Sequence, residues 1–378
     1  MARFNLGGPA QQISSLMEHL NKDEFVQKLV VGQCADDEID FSEVQTLSFE
    51  IVRSENLGRK INILSDIYAL LDIIKILYRF RPNIIHSHTA KAGVIARIAR
   101  IFYPGKVHLV HTYHGHLLYG YFNRWQTKLV VYLERLLALF TTKLVTVGTR
   151  VRNELVEAKV ASLNKFVVIP PGINFGTTSP HVARVTTSKL RANQISIGFV
   201  GRITKIKRPD KFLGIVEQVQ SVSLPTTFYV AGNGNLADEM QAHATSRGLD
   251  INFLGWVADV ESLFDELDVL ILTSDNEGTP ISIVQAAAHG CISLSTNVGS
   301  VEDVLIDGET GFMCETISQF VEQIQHLTSN PSKLQYMKSK ARDFSRTNFS
   351  GVRLARDHEF LYKSIIDPDA TLDTRVLG

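Results

Sequence analysis

The chain has 378 residues, and its 39 Lys and Arg balance 39 Asp and Glu, so the formal net charge is zero. Proteins that wrap nucleic acid carry a basic excess, so no nucleic-acid partner is expected. Hydrophobic residues at 44% and charged residues at 21% exclude a disordered chain, and the length points to two domains.

In chain order, the segment from Arg3 to Ala10 leaves room for only a short first strand before Gly7 and Gly8. Either that strand is short or the natural start lies further upstream. The two glycines permit a close backbone approach to phosphate or sugar. Strands are expected at 25–31, 84–86, 109–111, 144–147 and 166–169, with helices between them. One helix covers 63–80 and stops before Arg81-Pro82. Pro170-Pro171-Gly172 closes the first half. Residues 173–193 are rich in Thr and Ser, carry Pro180 and read as a linker. Strands resume at 195–200, 227–231, 251–254, 269–273 and 292–295, with helices at 209–219 and 280–289. Alternating short strands and helices imply βαβ units and parallel sheets. The expected fold is α/β: two Rossmann-like domains, 1–172 and 194–345, facing each other across a cleft. Residues 346–378 form a closing helix that returns toward the first domain, with a tail. Open α/β sheets bind ligands outside the carboxyl ends of their strands.

Cys34, Cys291 and Cys314 show neither a disulfide framework nor zinc spacing, and read as buried thiols in a reducing cytoplasm. No stretch reads as a signal peptide. The longest apolar run, Leu129 to Phe140, is broken by Glu134 and Arg135, so no bilayer span is expected.

The segment from Thr273 to Gly290 is the most informative. Thr279 suits an N-cap, Pro280 a first helical position and Gly290 a helix stop. The free N–H groups of that helix would favour an anion. Glu277 stands just before them and could accept hydrogen bonds from sugar hydroxyls, while Gln285 lies one to two turns inside. A capped core helix with a solvated Glu277 would have the same spacing. Upstream, Gly201 lets the chain turn after a strand, so Arg202 and Lys207 can converge on one anion. Lys205 competes for the role, and a solvated basic loop is the plainer alternative. Cations aimed at an anion whose charge grows as a bond breaks stabilise the transition state more than the ground state.

Gly232-Asn-Gly234-Asn235-Leu236-Ala237 joins a strand to a helix as G-x-G-x-x-A, a weak dinucleotide sign. The next strand ends in Gly255-Trp256-Val257 without the acid that NAD requires; Asp250 stands at its wrong end. NAD is therefore not expected. His86 and His88, then His111, His114 and His116, follow strands. They lack a Cys or carboxylate at metal spacing, so strand-end histidines bonded to backbone are the simpler reading. Tyr119, Tyr121, Phe122, Arg124, Trp125 and Lys128 interleave aromatic and basic residues. They suit either a peripheral contact with an anionic membrane or a packed loop. Asp367-Pro-Asp369 has the letters of a metal motif but falls in the tail.

The stretch 273–290 resembles the Glu-x7-Glu segment of the retaining GT-B glycosyltransferases of family GT4. That family includes sucrose-phosphate synthase-like and bacterial cell-surface polysaccharide enzymes. The resemblance runs through nearly the whole chain: Gly201-Arg202 to Lys207 is similar to its Gly-Arg-Leu-x3-Lys-Gly signature, with Arg208 in place of the glycine. It implies a metal-independent glycosyltransferase using a nucleotide diphosphate sugar, a UDP-sugar in the first instance. The implied acceptor is a cell-surface glycan or polyprenyl-linked intermediate. It implies that Arg202 and Lys207 bind the diphosphate, that Glu277 contacts the transferred sugar, and that the Gly278, Thr279 and Pro280 backbone contacts sugar and phosphate. Gly7, Gly8, Gly234, Asn235, Leu236, Trp256 and Val257 would line the donor. His114, with His111 as alternate, would approach the reacting sugar. The second glutamate, which grips the ribose, is Gln285 here. Together with the short first strand, that departure keeps a second reading open: a nucleotide-sugar-binding or scaffold subunit without turnover.

Overall fold

In a computed structural model of the chain, residues 1–35, 38–115, 123–175 and 194–368 are described. His116, Tyr119, Tyr121, Phe122, Asp369 and most of the expected linker lie outside them. The chain divides into one unit of Met1–Asn174 with Phe349–Gly378 and a second of Phe175–Asn348.

In the first unit the elements run α1 (Gly8–His19), β1 (Leu29–Val31), α2 (Phe41–Val44), β2 (Ile51–Arg53), α3 (Ile63–Phe80), β3 (Ile84–His88), α4 (Ala90–Phe102), β4 (His108–Tyr113), α5 (Arg124–Leu139), β5 (Lys143–Thr146), α6 (Thr149–Glu157) and β6 (Phe166–Val168). Strands β3-β4-β5-β6 form one parallel sheet, and β1 pairs with β2 in a second. Helix α3 forms where its periodicity places it. The Asn62 side chain accepts from Ser65 N at its start, and Arg81 takes a left-handed conformation (φ 51°) at its end, just before the proline that ends it.

Two expectations need correction. The strand expected at 25–31 is confined to Leu29–Val31: Val26 is 85% exposed and Phe25 turns its ring toward Tyr362, so neither keeps the alternation a ladder needs. No strand forms before Gly7. Asn5 makes a single antiparallel bridge to Asp40, and the Met1 amine donates to the Val30 carbonyl at 2.7 Å. Phe4 is nonetheless fully buried, packed edge-on against Phe41.

The second unit runs β7 (Ile195–Val200), α7 (Pro209–Ser221), β8 (Thr226–Ala231), α8 (Ala237–Ser246), β9 (Ile251–Gly255), α9 (Val260–Glu266), β10 (Val269–Leu272), α10 (Ile281–Ala288), β11 (Ile292–Ser295), β12 (Gly311–Met313), α11 (Ile317–Ser329) and α12 (Pro331–Asn348). Its sheet is parallel throughout in the order β12-β11-β10-β7-β8-β9. This is the doubly wound order, whose direction reverses between β7 and β10. The backbone turns after β7 and β8 touch directly: a Cβ on Gly232 (φ 141°) would stand 1.9 Å from the Gly201 carbonyl oxygen. Helix α10 is capped by Pro280, not Thr279, and starts at Ile281. The residue before a proline is kept out of the helical region, and Pro280 itself stays extended at ψ 103°.

The chain closes with α13 (Gly351–Ile366), which belongs to the first unit. Its Leu354, Leu361 and Ile365 pack with Leu16 of α1, with Leu20 just past the end of α1, and with Val110 and Val145 of the sheet. This interface holds titratable groups. His86 stands between Tyr362 OH at 2.6 Å and Thr112 Oγ1 at 2.7 Å. The His358 ring lies 5.5 Å from it; its Nδ1 donates to the Leu354 carbonyl, and its Nε2 is buried without a partner among the described residues. Burial pushes the His358 imidazole down to about 4 and that of His86 well below its ordinary value.

These depressed values set the sign of a pH effect. The unfolded chain binds these protons near pH 6.5, whereas in the folded chain His358 resists until about 4 and His86 is held well below its ordinary value. The stabilisation is present above pH 6.5 and is lost as pH falls toward 4. Thermal unfolding followed from pH 7 to pH 5 should therefore show a falling Tm. His358→Leu should make the decline shallower by reducing proton uptake on unfolding. An unchanged slope would mean that His358 is protonated in the fold.

Candidate active site

The reversal of strand order in the second unit places the loops after β7 and β10 side by side at the carboxyl edge of the sheet. Several bonds join them. Asp275 N donates to the Ile206 carbonyl at 2.9 Å, and Thr273 Oγ1 bonds to the Lys207 and Arg208 carbonyls at 2.9 and 3.0 Å. The Lys207 ammonium consequently reaches Glu277 Oε1 at 2.6 Å, and the fully buried Ser274 hydroxyl donates to the same oxygen at 2.6 Å. Both bonds fall on Oε1; Oε2 takes neither. Arg202 is exposed and makes no hydrogen bond or ion pair among the described residues. Among the described residues the loop after β7 thus carries one cation locked to a carboxylate, Lys207, and two exposed cations without such a partner, Arg202 and Lys205, an arrangement that can receive a diphosphate beside a hydroxyl-bearing group.

Arg208 occupies the position where the family signature has glycine, and the backbone shows why glycine is common there. Its φ of 52° and ψ of 59° are left-handed, a region that costs a side-chain-bearing residue roughly 1–2 kcal/mol. Here the side chain supplies an offset. Arg208 holds Asp210 in bidentate fashion, Nε at 2.9 Å and Nη2 at 2.7 Å, and donates from Nη1 to both carboxylate oxygens of Asp275, at 2.9 and 3.2 Å. These bonds tether the two loops that carry Lys207 and Glu277.

The remaining sequence-assigned residues fall around the same edge. Gly234 packs with its Cα against the Ile203 carbonyl oxygen, which a Cβ would approach to 2.2 Å. Asn235 and Leu236, with Lys205, Arg208 and Asp275, line an open cavity of about 590 Å³. Lys205 therefore faces this cavity, whereas Lys207 faces Glu277. Trp256 is 45% exposed and Val257 is buried. Gln285 is half-buried on α10, and its side chain makes no hydrogen bond among the described residues.

One contributor was not singled out in the sequence, the turn from Thr296 to Ser300. Gly299 (φ 56°) lies so close to the Glu277 carbonyl oxygen that a Cβ would stand 2.0 Å from it. Ser300 N donates to the Gly278 carbonyl at 2.8 Å, and Thr296 Oγ1 to that of Ser274 at 2.7 Å. The short Gly299-Ser300 pair after a buried strand was the available signal.

In the first unit, His88 Nδ1 and His114 Nε2 share a hydrogen bond of 3.0 Å, and the His86 and His88 rings lie 4.2 Å apart. Burial, then the nearby His358 and the N-terminal amine, push His114 down to about 4. His114 is therefore a neutral imidazole at neutral pH, able to donate from one nitrogen and accept at the other. His111 is fully buried, bonds to Ser87 Oγ at 2.9 Å and presses against Gly93. It belongs to the core, so the alternate role given to it does not hold. Gly7 and Gly8 lead into the N-terminus of α1. Among the described residues no three His, Cys, Asp or Glu side chains gather to hold a metal ion.

The left-handed Arg208 yields a direct test. Arg208→Gly and Arg208→Ala both remove the tether to Asp275, but only alanine retains the backbone cost. In urea unfolding the glycine variant should be the more stable of the two by about 1 kcal/mol. Equal stabilities, or alanine ahead, would show that position 208 is not left-handed.

Known proteins resemble the chain over most of its length. The profile "Glycosyltransferase Family 4" matches residues 6–176, and "Glycosyl transferases group 1" matches 194–330, so together they span most of the chain. The chain is 25% identical over 322 residues to an Escherichia coli UDP-Gal:alpha-D-GlcNAc-diphosphoundecaprenol alpha-1,3-galactosyltransferase, covering 82% of each chain. It is 24% identical over 344 residues to the capsular polysaccharide biosynthesis glycosyltransferase CapM of Staphylococcus aureus, covering 86% of this chain and 88% of that one. The crystal structure of Anabaena HepE in complex with UDP superposes with a TM-score of 0.78 at 19% identity, covering 96% of this chain and 97% of that one. With two parallel α/β units of the GT-B type and both halves matched, the chain belongs to the family 4 glycosyltransferases.

Proposed function

We propose that this glycosyltransferase moves a sugar from a UDP-sugar, with retention of configuration and without a bound metal, to a lipid-linked or other cell-surface glycan acceptor. The observation that carries the reading is the meeting of Lys207 and Glu277 at the switch point of the second sheet, with Arg202 on the same loop as Lys207. The names of the Escherichia coli and Staphylococcus aureus relatives support the acceptor class, and the UDP in the Anabaena structure supports the base.

In this reading the bond between the sugar C1 and the diphosphate oxygen breaks while the acceptor hydroxyl attacks the same face. The hydroxyl proton passes to the leaving phosphate. Arg202 and Lys207 stabilise the charge that accumulates on that phosphate. Glu277 accepts hydrogen bonds from the sugar hydroxyls, and the Gly278, Thr279 and Pro280 backbone lies against sugar and phosphate. Gln285 bonds the ribose, and the 234–236 and 256–257 loops hold the base. His114 offers a neutral imidazole to a sugar hydroxyl.

The test begins with UDP and UDP-sugars in a thermal-shift series, because a ligand that binds only the folded chain raises its apparent stability. Transfer should then persist in EDTA. Lys207→Ala should fold normally and lower kcat/KM by at least ~100-fold, the scale of removing one transition-state donor. Loss of transfer in EDTA with rescue by Mg2+ or Mn2+ would sink the metal-free reading; a near-normal Lys207→Ala would assign the phosphate to Lys205 or another group.

Gln285 and Glu277 should separate in kinetics. A carboxylate bonds the ribose hydroxyls about twice as strongly as a neutral amide, so Gln285→Glu should tighten donor binding about 5–30-fold. The ribose is remote from the breaking bond, so the gain should appear in KM rather than kcat. Glu277→Gln should nearly abolish kcat. If the wild type transfers nothing while Gln285→Glu switches transfer on, the natural chain binds donor without turnover.

A further inference from the structure

Two helices of the first unit present apolar faces that nothing in the described structure covers. On α5, Trp125, Leu129, Tyr132, Leu133, Leu136 and Leu139 are exposed, Trp125 at 72% and Leu139 at 73%. At about 100° per residue they form one arc of roughly 120°. Arg124, Lys128 and Arg135 are also exposed and share one edge of that arc. The single acid of the helix, Glu134, turns inward to Arg97 at 2.7 Å and the Tyr113 hydroxyl at 2.6 Å. The outward charge of α5 is therefore wholly positive.

Helix α3 repeats the pattern. Leu64, Ile67 and Leu71 are exposed on one face, and Lys75 and Arg79 stand exposed toward one edge of it. Both of its acids are occupied within the protein: Asp66 pairs with Lys91, and Asp72 accepts from Ser54 and Asn56. Both helices neighbour α4. The α3 residues Leu77 and Ile73 pack with Ala99 of α4 and with Tyr103 just past its end, and Glu134 of α5 reaches Arg97 on α4.

Two apolar arcs with basic edges and inward-turned acids match the chemistry of an interfacial helix lying in an anionic lipid surface. No helix of the described residues is long and apolar enough to cross a membrane. We propose that α3 and α5 dock the first unit onto an anionic bilayer, with the apolar arcs among the acyl chains and the basic edges at the headgroups. This goes beyond the transfer reading and does not depend on it, since a soluble acceptor analogue would be used without any membrane.

The experiment is co-sedimentation with vesicles. The full chain should pellet with vesicles of phosphatidylcholine containing phosphatidylglycerol at roughly one part in three, and remain in solution with phosphatidylcholine alone. Partition should fall several-fold as salt rises above the physiological range. Leu129→Glu with Leu136→Glu should lower it at least ~10-fold without changing Tm, because both side chains point outward. If that pair fails to fold, Arg124→Glu with Lys128→Glu, confined to the basic edge, should give the same loss on anionic vesicles. Equal partition of wild type and variants, or equal binding to neutral and anionic vesicles, would overturn the proposal. So would a dimer in sedimentation equilibrium that the leucine variant dissolves, which would assign the face to a second copy.

Discussion

Lys207 meets Glu277 because β7 and β10 are hydrogen-bonded neighbours whose connections leave in opposite directions. A parallel strand delivers its next residues to one edge of the sheet, and only where the winding reverses do two such deliveries stand side by side without a helix between them. The ion pair is thus the visible end of a topological constraint. Its partners come from segments 70 residues apart in the chain, and neither could be positioned by local structure alone. The Asp275 N–H, the Thr273 hydroxyl and the Arg208 fork repeat the same link at three other points. The loops are therefore held before any ligand arrives, and little ordering cost is left for binding.

The edge is also crowded. Gly201 and Gly232 touch through their backbones, as do Gly234 and Ile203, and Gly299 and Glu277. At each contact a side chain would have to occupy the space of a carbonyl oxygen. This leaves main-chain polar groups near the surface where a phosphate or sugar would lie, with few side chains in the way. Arg208 runs against the trend, keeping a backbone shape suited to glycine and using its side chain to bridge the two loops.

Much of this was legible in the sequence. The apolar runs of the second unit gave β7 and β11 to the residue, because strands buried on both faces have sharp ends. The spacing of Arg202, Lys207 and Glu277 and the resemblance around 273–290 led to one edge of one sheet. What escaped depended on partners distant in the chain. The turn at Thr296–Ser300 has no chemistry until Gly278 lies against it. His111 reads like His114 in the sequence, and only the register of β3 on β4 sets His111 against Ser87 in the core. Thr279 has the letters of a cap, yet the proline after it moves the helix start. The segment at 25–31 has the composition of a strand but loses half of it to packing against Tyr362.

Helix α13 bears on how the molecule is made. The first unit is discontinuous: its core needs Leu354, Leu361 and Tyr362, which are encoded after the whole of the second unit. On the ribosome the first 174 residues emerge with α1 and one face of their sheet uncovered, and they wait through the synthesis of everything up to Asn348. The second unit is one continuous stretch and has all its contacts as soon as it has cleared the exit tunnel. Vectorial synthesis thus favours completion of the later-encoded unit first. The earlier one closes only when Gly351 slots against Ser15 and His19, a delay during which its apolar surfaces stand open to solvent or to a chaperone.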